Sequence, residues 1–425
     1  MTETSVDRLA LLYRVSQAFS SSLDLDEVLN RVMDEVIAAT RAERGFLMLR
    51  DADGQLVARA ARGLDQRTIE DTAFQVSRGV ADVVVRDGVP QLTSDAQADA
   101  RLNIRMSVVK LGLRSILCVP LQIKGATLGV IYVDSRLQAG IFTPGDLDLL
   151  TAIASSAAAA IENARLYRVA VEKGRMEREL QVAREVQAGL LPRETPHLLG
   201  WEFAAHWKPA REVAGDFYDF IPVNIAQAAK REPSQGVGIV IADVTDKGMP
   251  AALFMALVRS IVRASMTQAD TVTDGITHAN RLICADSTNG MFVTLFYAQI
   301  HPAATDLIYV NAGHNPPLLY RSATRELIEL KRTGMALGVL EASPYTQRTA
   351  QLNSGDLVLL YTDGVTDARD ARGQEFGLDR LRQVILDRGG GSAADVLSTL
   401  DQAVGEFTGA TTPFDDITVV VVKRV

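Results

Sequence analysis

The stretch Gly238-Ile239-Val240-Ile241-Ala242-Asp243-Val244-Thr245-Asp246-Lys247-Gly248 runs from small and β-branched residues into a carboxylate and then into a turn. Such an apolar run reads as a buried strand. A carboxylate that closes a buried strand is costly unless something cationic meets it. The arrangement recurs in the second half of the chain. Asp216 stands in Gly215-Asp216-Phe217-Tyr218-Asp219, Asp363 follows Leu357 to Thr362 and precedes Gly364, and Asp415 opens Asp415-Asp416-Ile417-Thr418 before Val419 to Val422. One such acid is ordinary turn material, because Gly-Asp, Asp-Gly and Asp-Asp all suit turns. Four at similar positions point to one hard-metal site. Oxygen-only ligation favours Mg²⁺ or Mn²⁺ over zinc. Two such ions can clamp a phosphoryl group and generate hydroxide between them.

Around these acids the pattern is rich in strands. Val237 to Val244, Phe292 to Ile300, Leu307 to Val310, Leu318 to Tyr320, Leu357 to Tyr361 and Ile417 to Val422 read as β. Helices come in pairs: Pro250 to Ala264 with Asp274 to Asp286, and Leu378 to Leu386 with Ala393 to Phe407. That alternation predicts a β-sandwich covered by helices, within an α+β chain. The N-terminal part reads as an antiparallel sheet with flanking helices. Val6 to Ser21 and Leu25 to Ala39 have helical periodicity, with Asp24 as N-cap. Arg44 to Arg50 and Leu56 to Ala61 form one hairpin, and Ile116 to Ile123 and Leu128 to Val133 another. Thr143-Pro144-Gly145-Asp146 starts a helix, with Thr as N-cap, Pro first and Asp facing the orphan amides.

From Leu150 that helix carries Ile153, Ala157, Ala160, Ala164, Tyr167 and Val171 at alternating steps of three and four, a coiled-coil seam. The seam fails at Lys173-Gly174. A second register runs through Met176, Leu180, Ala183, Gln187 and Leu190 and ends at Leu191-Pro192. One reading is a long amphipathic helix packed on its own domains. The expected reading is a parallel helical homodimer with a phase break at Gly174.

A chain of 425 residues, 47% hydrophobic, predicts two or three domains with a core in each. Its net charge of -8 is modest and spread out, which argues against a nucleic-acid partner. Cys118 and Cys284 have no near neighbours, against a disulfide framework and in keeping with a reducing compartment. Glu3, Asp7 and Arg8 break the N-terminal segment, so it does not read as a signal peptide. No run reaches the ~18 apolar residues of a membrane span. The expectation is a soluble, cytoplasmic protein with no membrane partner.

Six segments occur in order: Gly215 to Asp219, Ala242 to Gly248, Phe292-Val293-Thr294, Ala312-Gly313-His314-Asn315-Pro316, Leu359 to Ala368 and Asp415 to Thr418. Together they resemble the metal-dependent Ser/Thr phosphatases (PPM superfamily), in the bacterial branch related to the stage II sporulation phosphatase and the activators of stress sigma factors. The preceding Ala183 to Pro192 is similar to the helix that leads into that domain, so the resemblance covers Gln181 to Val425. It implies that Asp216 and Asp243, with the Val244 carbonyl, hold two Mn²⁺ or Mg²⁺ ions, and that Asp363 and Asp415 complete one shell. It implies in-line attack of activated water on phosphoserine or phosphothreonine. Asp219, Asp367 and Asp416 are expected as supporting or surface groups. Asp246 stands where the family has glycine, which is expected to change the turn and add negative charge. Thr245 replaces a histidine of eukaryotic relatives, as is common in the bacterial branch. His314 is expected to serve the turn and not catalysis.

The segments Leu23 to Leu29, Ala42 to Leu47, Ala60 to Leu64, Arg114 to Leu121, Leu128 to Asp134 and Ile161 to Leu166 resemble a GAF domain over Asp7 to Leu166. This fold hosts many ligands or none, so a small-molecule or protein signal is expected without an identity. Cys118 is expected as a buried structural thiol. No histidine precedes His197, which excludes a haem held by a histidine within this domain. The division is then 1–160 sensor domain, 161–191 linker helix, and 192–425 phosphatase domain. The whole reads as a sensor-controlled protein phosphatase. Its substrate is expected to be a phosphorylated anti-sigma-factor antagonist of the STAS fold. The rivals are a pseudophosphatase that docks such a partner without turnover, and a nucleotidyl cyclase, whose signature is missing.

Overall fold

The computed structural model describes residues 13–19, 22–63, 78–96, 112–225, 234–287, 290–302, 305–411 and 413–425. The chain forms two compact units, Met1–Met176 and Glu177–Val425. Of the first expected helix, residues 13–19 are helical and the rest lies outside the described residues.

In the first unit the helix Leu25–Thr40 begins where Asp24 accepts the Glu27 amide at 2.9 Å. Its buried residues Val28, Leu29, Val32, Met33, Val36 and Ile37 recur at helical spacing and cover one face of a sheet. The strands are β1 (Arg44–Arg50), β2 (Leu56–Gly63), β3 (Gln91–Thr93), β4 (Ser115–Ile123) and β5 (Ala126–Ser135), in the order β2-β1-β5-β4-β3. Lys124 and Gly125 take φ 48° and 83°, the left-handed pair that a two-residue hairpin loop requires. The helix Arg78–Asp87 packs on the opposite face around Phe46, Val84 and Tyr132. Cys118 is fully buried on β4, and burial pushes its thiol up, as the structural reading requires.

The helix Pro144–Leu190 spans 47 residues and is unbroken through Lys173-Gly174. Thr143 Oγ1 accepts the Asp146 amide at 3.3 Å, and the Asp146 carboxylate accepts the Thr143 amide at 2.8 Å. The expected dimer seam is corrected here. Ile153, Ala157 and Ala164 are fully buried and Ala160 nearly so, all within the first unit's own core. A small-residue seam suits close packing on a sheet as well as on a second helix. Tyr167 and Val171 remain half-exposed. In the second register Gln187 is 4% exposed and bonded within the second unit, so it does not face a partner helix.

The second unit stacks two antiparallel sheets. Its strands are β6 (Trp201–Lys208), β7 (Phe217–Ile225), β8 (Ser234–Val244), β9 (Val293–Ile300), β10 (Asp306–Ala312), β11 (Leu318–Arg321), β12 (Glu326–Glu329), β13 (Arg348–Gln351), β14 (Leu357–Tyr361) and β15 (Ile417–Arg424). One sheet runs β13-β10-β9-β8-β7 and the other β12-β11-β14-β15-β6. The period-two alternation decides the layers. Ile239 and Ile241 of β8 meet Val358, Leu360, Val420 and Val422 between the sheets. Val240, Ala242 and Val244 face outward, under the helices Met249–Gln268 and Val272–Asp286. On the other side Leu357, Leu359, Val419 and Val421 lie under the helices Gly377–Arg388 and Ala393–Thr408. Both faces of the central strands are covered, which is why they read as continuous apolar runs. The expected helix-covered sandwich is present. The helix Met249–Gln268 is long and apolar enough to cross a membrane, but Ala251, Met255, Val258 and Val262 pack in this core.

Candidate metal centre

The β7–β8 register sets Phe217 opposite Ala242 and so brings Asp216 level with Asp243. Both side chains belong to the face between the sheets. From the other sheet, β14 delivers Asp363 at the start of the short helix Asp363–Thr366, and β15 is preceded by Asp415. The sheets are tied at this end. Thr418 Oγ1 of β15 donates to Asp216 Oδ2 at 3.0 Å, and Thr362 Oγ1 accepts the Thr418 amide at 3.0 Å. The structure thus brings Asp216, Asp243, Asp363 and Asp415 to one edge of the sandwich.

These acids act on one another. Burial, then Asp243 and Asp416, push the Asp216 carboxyl far above the usual carboxylate range, opposed by a bond from Thr362. Burial and Asp363 push Asp243 up to about 7, and Asp415 adds to this. Burial, then Asp415 and Asp367, raise Asp363, with Lys247 opposing. Lys247 Nζ donates to Asp415 at 2.7 Å.

Glycines shape the edge. A Cβ on Gly215 would lie 3.1 Å from the Val244 carbonyl oxygen, and one on Gly364 would overlap the Asp416 carbonyl. Among the described residues no three His, Cys, Asp or Glu side chains close into a ready-made metal cage. The donor set still fits hard divalent cations: it is all oxygen, it is dominated by mutual repulsion, and Gly215 leaves room beside the Val244 carbonyl.

Each supporting residue has its own partners. Asp219 is no surface group. It is fully buried, with Arg263 at 2.5 Å and Arg259 at 3.1 Å from its carboxylate. Asp416 accepts the Ala210 and Gly215 amides, each at 2.8 Å, and so staples the start of β15 to the turn that carries Asp216. Asp367 is half-buried and accepts the Thr366 hydroxyl at 3.1 Å. Asp246 is exposed at φ 72°, a left-handed conformation that glycine adopts without strain. His314 is 1% exposed, its Nδ1 lies 2.9 Å from Thr294 Oγ1, and burial pulls its imidazole down to about 4, so it is a neutral structural group. Sequence reasoning missed Thr362 and Thr418 as orienting hydroxyls, although both stand inside the quoted motifs. It also missed Gln187, whose carboxamide exchanges two bonds with the Ala214 backbone, at 2.7 and 3.0 Å.

The fold and site define a two-domain protein of the GAF and PP2C-like classes. Residues 22–162 match the GAF domain family, and residues 233–425 match the family of Stage II sporulation protein E (SpoIIE). Protein IcfG of Synechocystis sp. is 32% identical over 273 residues, taking in 58% of this chain and 41% of that protein. Phosphoserine phosphatase RsbU of Bacillus subtilis is 27% identical over 246 residues, 58% of this chain and 70% of that protein. The SiaA-PP2C domain of Pseudomonas aeruginosa has the same fold, with TM-score 0.51 and 23% identity over 60% of this chain and 99% of that domain. Residues 22–162 thus match a GAF domain, and residues 233–425 match the SpoIIE family on a PP2C-like fold. The chain spans less than half the length of the first of these relatives.

Proposed function

We propose that the protein is a signal-regulated, metal-dependent serine/threonine phosphatase. The observation that carries this reading is the convergence of Asp216, Asp243, Asp363 and Asp415 from both sheets, where the strongest influences on Asp216 and Asp243 are burial and other acids. Asp216, Asp243 and the Val244 carbonyl hold the metal centre, and Asp363 and Asp415 complete one shell. Two Mn²⁺ or Mg²⁺ ions bound there would supply positive charge to a phosphoryl group and acidify an attacking water. The chain's own residues do the positioning. Thr418 aims Asp216 and is itself held by Thr362, Asp416 fixes the Gly215 turn, and Lys247 holds Asp415.

The partner is a phosphorylated protein, in keeping with the similarity to the phosphoserine phosphatase RsbU, and the resemblance of the six motifs makes a STAS-type anti-sigma-factor antagonist the partner to test. The GAF domain takes a small-molecule or protein signal, and the half-exposed Tyr167 and Val171 of the long helix support a homodimer. Phosphate release from a phosphoserine peptide should require Mn²⁺ or Mg²⁺ and stop with chelator. Peptide binding without release at any Mn²⁺ concentration would leave the non-catalytic docking module instead. Co-purification with a phosphorylated STAS-fold protein tests the partner.

A further inference from the structure

Beside the acid cluster, between the end of β6, the start of β15 and the helix Ala393–Thr408, lies a cleft of about 370 Å³. Asp415 and Gly364 line it, so it opens onto the candidate metal centre. Ala368, Val404 and Ile417 give it an apolar floor, and Lys208, Arg369 and Phe414 line its walls. Phe414 is 50% exposed. Its ring is held between two cations, the Lys247 ammonium at 4.5 Å and the Arg369 guanidinium at 4.4 Å from the centroid.

Two cations of this cleft reach solvent. Of its two acids, Asp415 accepts Lys247 at 2.7 Å, and Asp401 lies beside His206 at the end of β6. Lys208 is exposed. The Arg369 side chain is 44% exposed and gives one nitrogen to Glu375 at 3.0 Å, which leaves other donors of its guanidinium fork facing out. The Thr411 hydroxyl donates to the Arg369 carbonyl at 2.9 Å and fixes the backbone on which that side chain stands. A fixed aromatic between cations, over an apolar floor, suits a peptide that carries negative charge.

We propose that this cleft docks an acidic stretch of the phosphoprotein substrate, adjacent in sequence to its phosphorylated residue. The proposal rests on the phosphatase reading of the neighbouring acids and adds to it the substrate class. Lys208 and Arg369 select the flanking charge, and Phe414 covers the apolar part of the segment.

The test compares two fluorescent phosphoserine peptides of equal length, one flanked by Asp and Glu and one by Gln and Gly, on the full chain with Mn²⁺. The expected result is a preference for the acidic peptide of about tenfold or more in kcat/KM, lost in the double variant Lys208→Glu, Arg369→Glu. Misfolded enzyme lowers both rates alike and leaves their ratio intact, so the ratio reports on the cleft alone. Equal kcat/KM for the two peptides in wild type, or a ratio unmoved by the double variant, overturns the proposal. Should the wild type hydrolyse neither peptide nor p-nitrophenyl phosphate, the phosphatase reading fails by itself. Anisotropy titration then decides the cleft: tenfold tighter binding of the acidic peptide supports it, and equal binding overturns it.

Discussion

Asp216 and Asp219 stand near the start of one strand, 3% and 0% exposed, and meet opposite surroundings. The two-residue period of the strand separates them. Asp219 points to the helix-covered face, where Arg263 and Arg259 reach its carboxylate at 2.5 and 3.1 Å. Asp216 points between the sheets, where it meets Asp243 and a threonine hydroxyl. The first acid is neutralised inside the fold. The second is opposed by further acids and needs a proton or a cation from solution. Asp134 of β5 repeats the first case, held by Arg44 at 2.9 and 2.6 Å. Burial alone does not mark a functional carboxylate; the missing counter-charge does.

The widest gap between the two cases should appear at Asp243. Asp243→Asn should lower turnover about 1000-fold or more, roughly 4 kcal/mol, because a metal-holding oxygen is lost. Retention of more than about a tenth of the wild-type rate at saturating Mn²⁺ would remove Asp243 from the centre. Without metal the same substitution should not destabilise the fold. The sign follows from the shift: the folded carboxyl sits at about 7 against 3.8 when free. Its stability contribution is present below pH 3.8 and lost as pH rises through 7. Thermal melts in chelator should therefore show a weaker fall between pH 4 and 7 for Asp243→Asn than for wild type.

Asp219→Asn should behave in the reverse manner. It strands Arg259, whose side chain is only 13% exposed, and should cost about 3–4 kcal/mol with or without metal. A melting temperature within about 2 °C of wild type would mean that Arg259 finds another partner. His314 is a third way to bury a titratable group, by keeping it neutral. Its folded value of about 4 lies below the free 6.5. Its contribution is present above pH 6.5 and lost as pH falls toward 4, by roughly 3 kcal/mol at the limit. In His314→Gln the stability profile between pH 6.5 and 4 should be flatter than in wild type by that amount. Parallel profiles would show that the imidazole finds a way to charge in place.

Sequence alone carried much of this. β-Branched runs are legible because β8, β14 and β15 are buried on both faces, and the caps at Asp24 and Thr143 announce two helices. The four acids were legible because each sits where an apolar run meets a turn. The strands β6 and β7 were not, since Trp201 to Lys208 mixes aromatic, acidic and basic residues and β7 contains Pro222. Asp219 could not be told from Asp216, because its partner Arg263 stands 44 residues away and is known only from the packing. The alanine-rich seam failed for a related reason. Alanine spacing records that something packs closely, and the helix meets its own sheet there.

The smallest expected effect tests how the unbalanced acid is aimed. Thr418 is fully buried, and its hydroxyl gives Asp216 a bond from the opposite sheet at 3.0 Å. Thr418→Val keeps the β-branched shape and the amide that Thr362 accepts, and removes one donor. A hydrogen bond to a carboxylate contributes about 1.5–3 kcal/mol when both groups are charged or desolvated. Part of that should be recovered, because the β7–β8 register also holds Asp216 in place. Mn²⁺ affinity should then fall about five- to tenfold by calorimetry, and Thr418→Ser should keep it near wild type. Asp219 offers the control, since its guanidinium partners are untouched and the melting temperature in chelator should hold. Unchanged Mn²⁺ affinity in Thr418→Val would mean that the β7–β8 register alone aims Asp216. The tie between the sheets would then serve stability and not the metal, and the contrast between the two aspartates would rest on their neighbours' charges and nothing else.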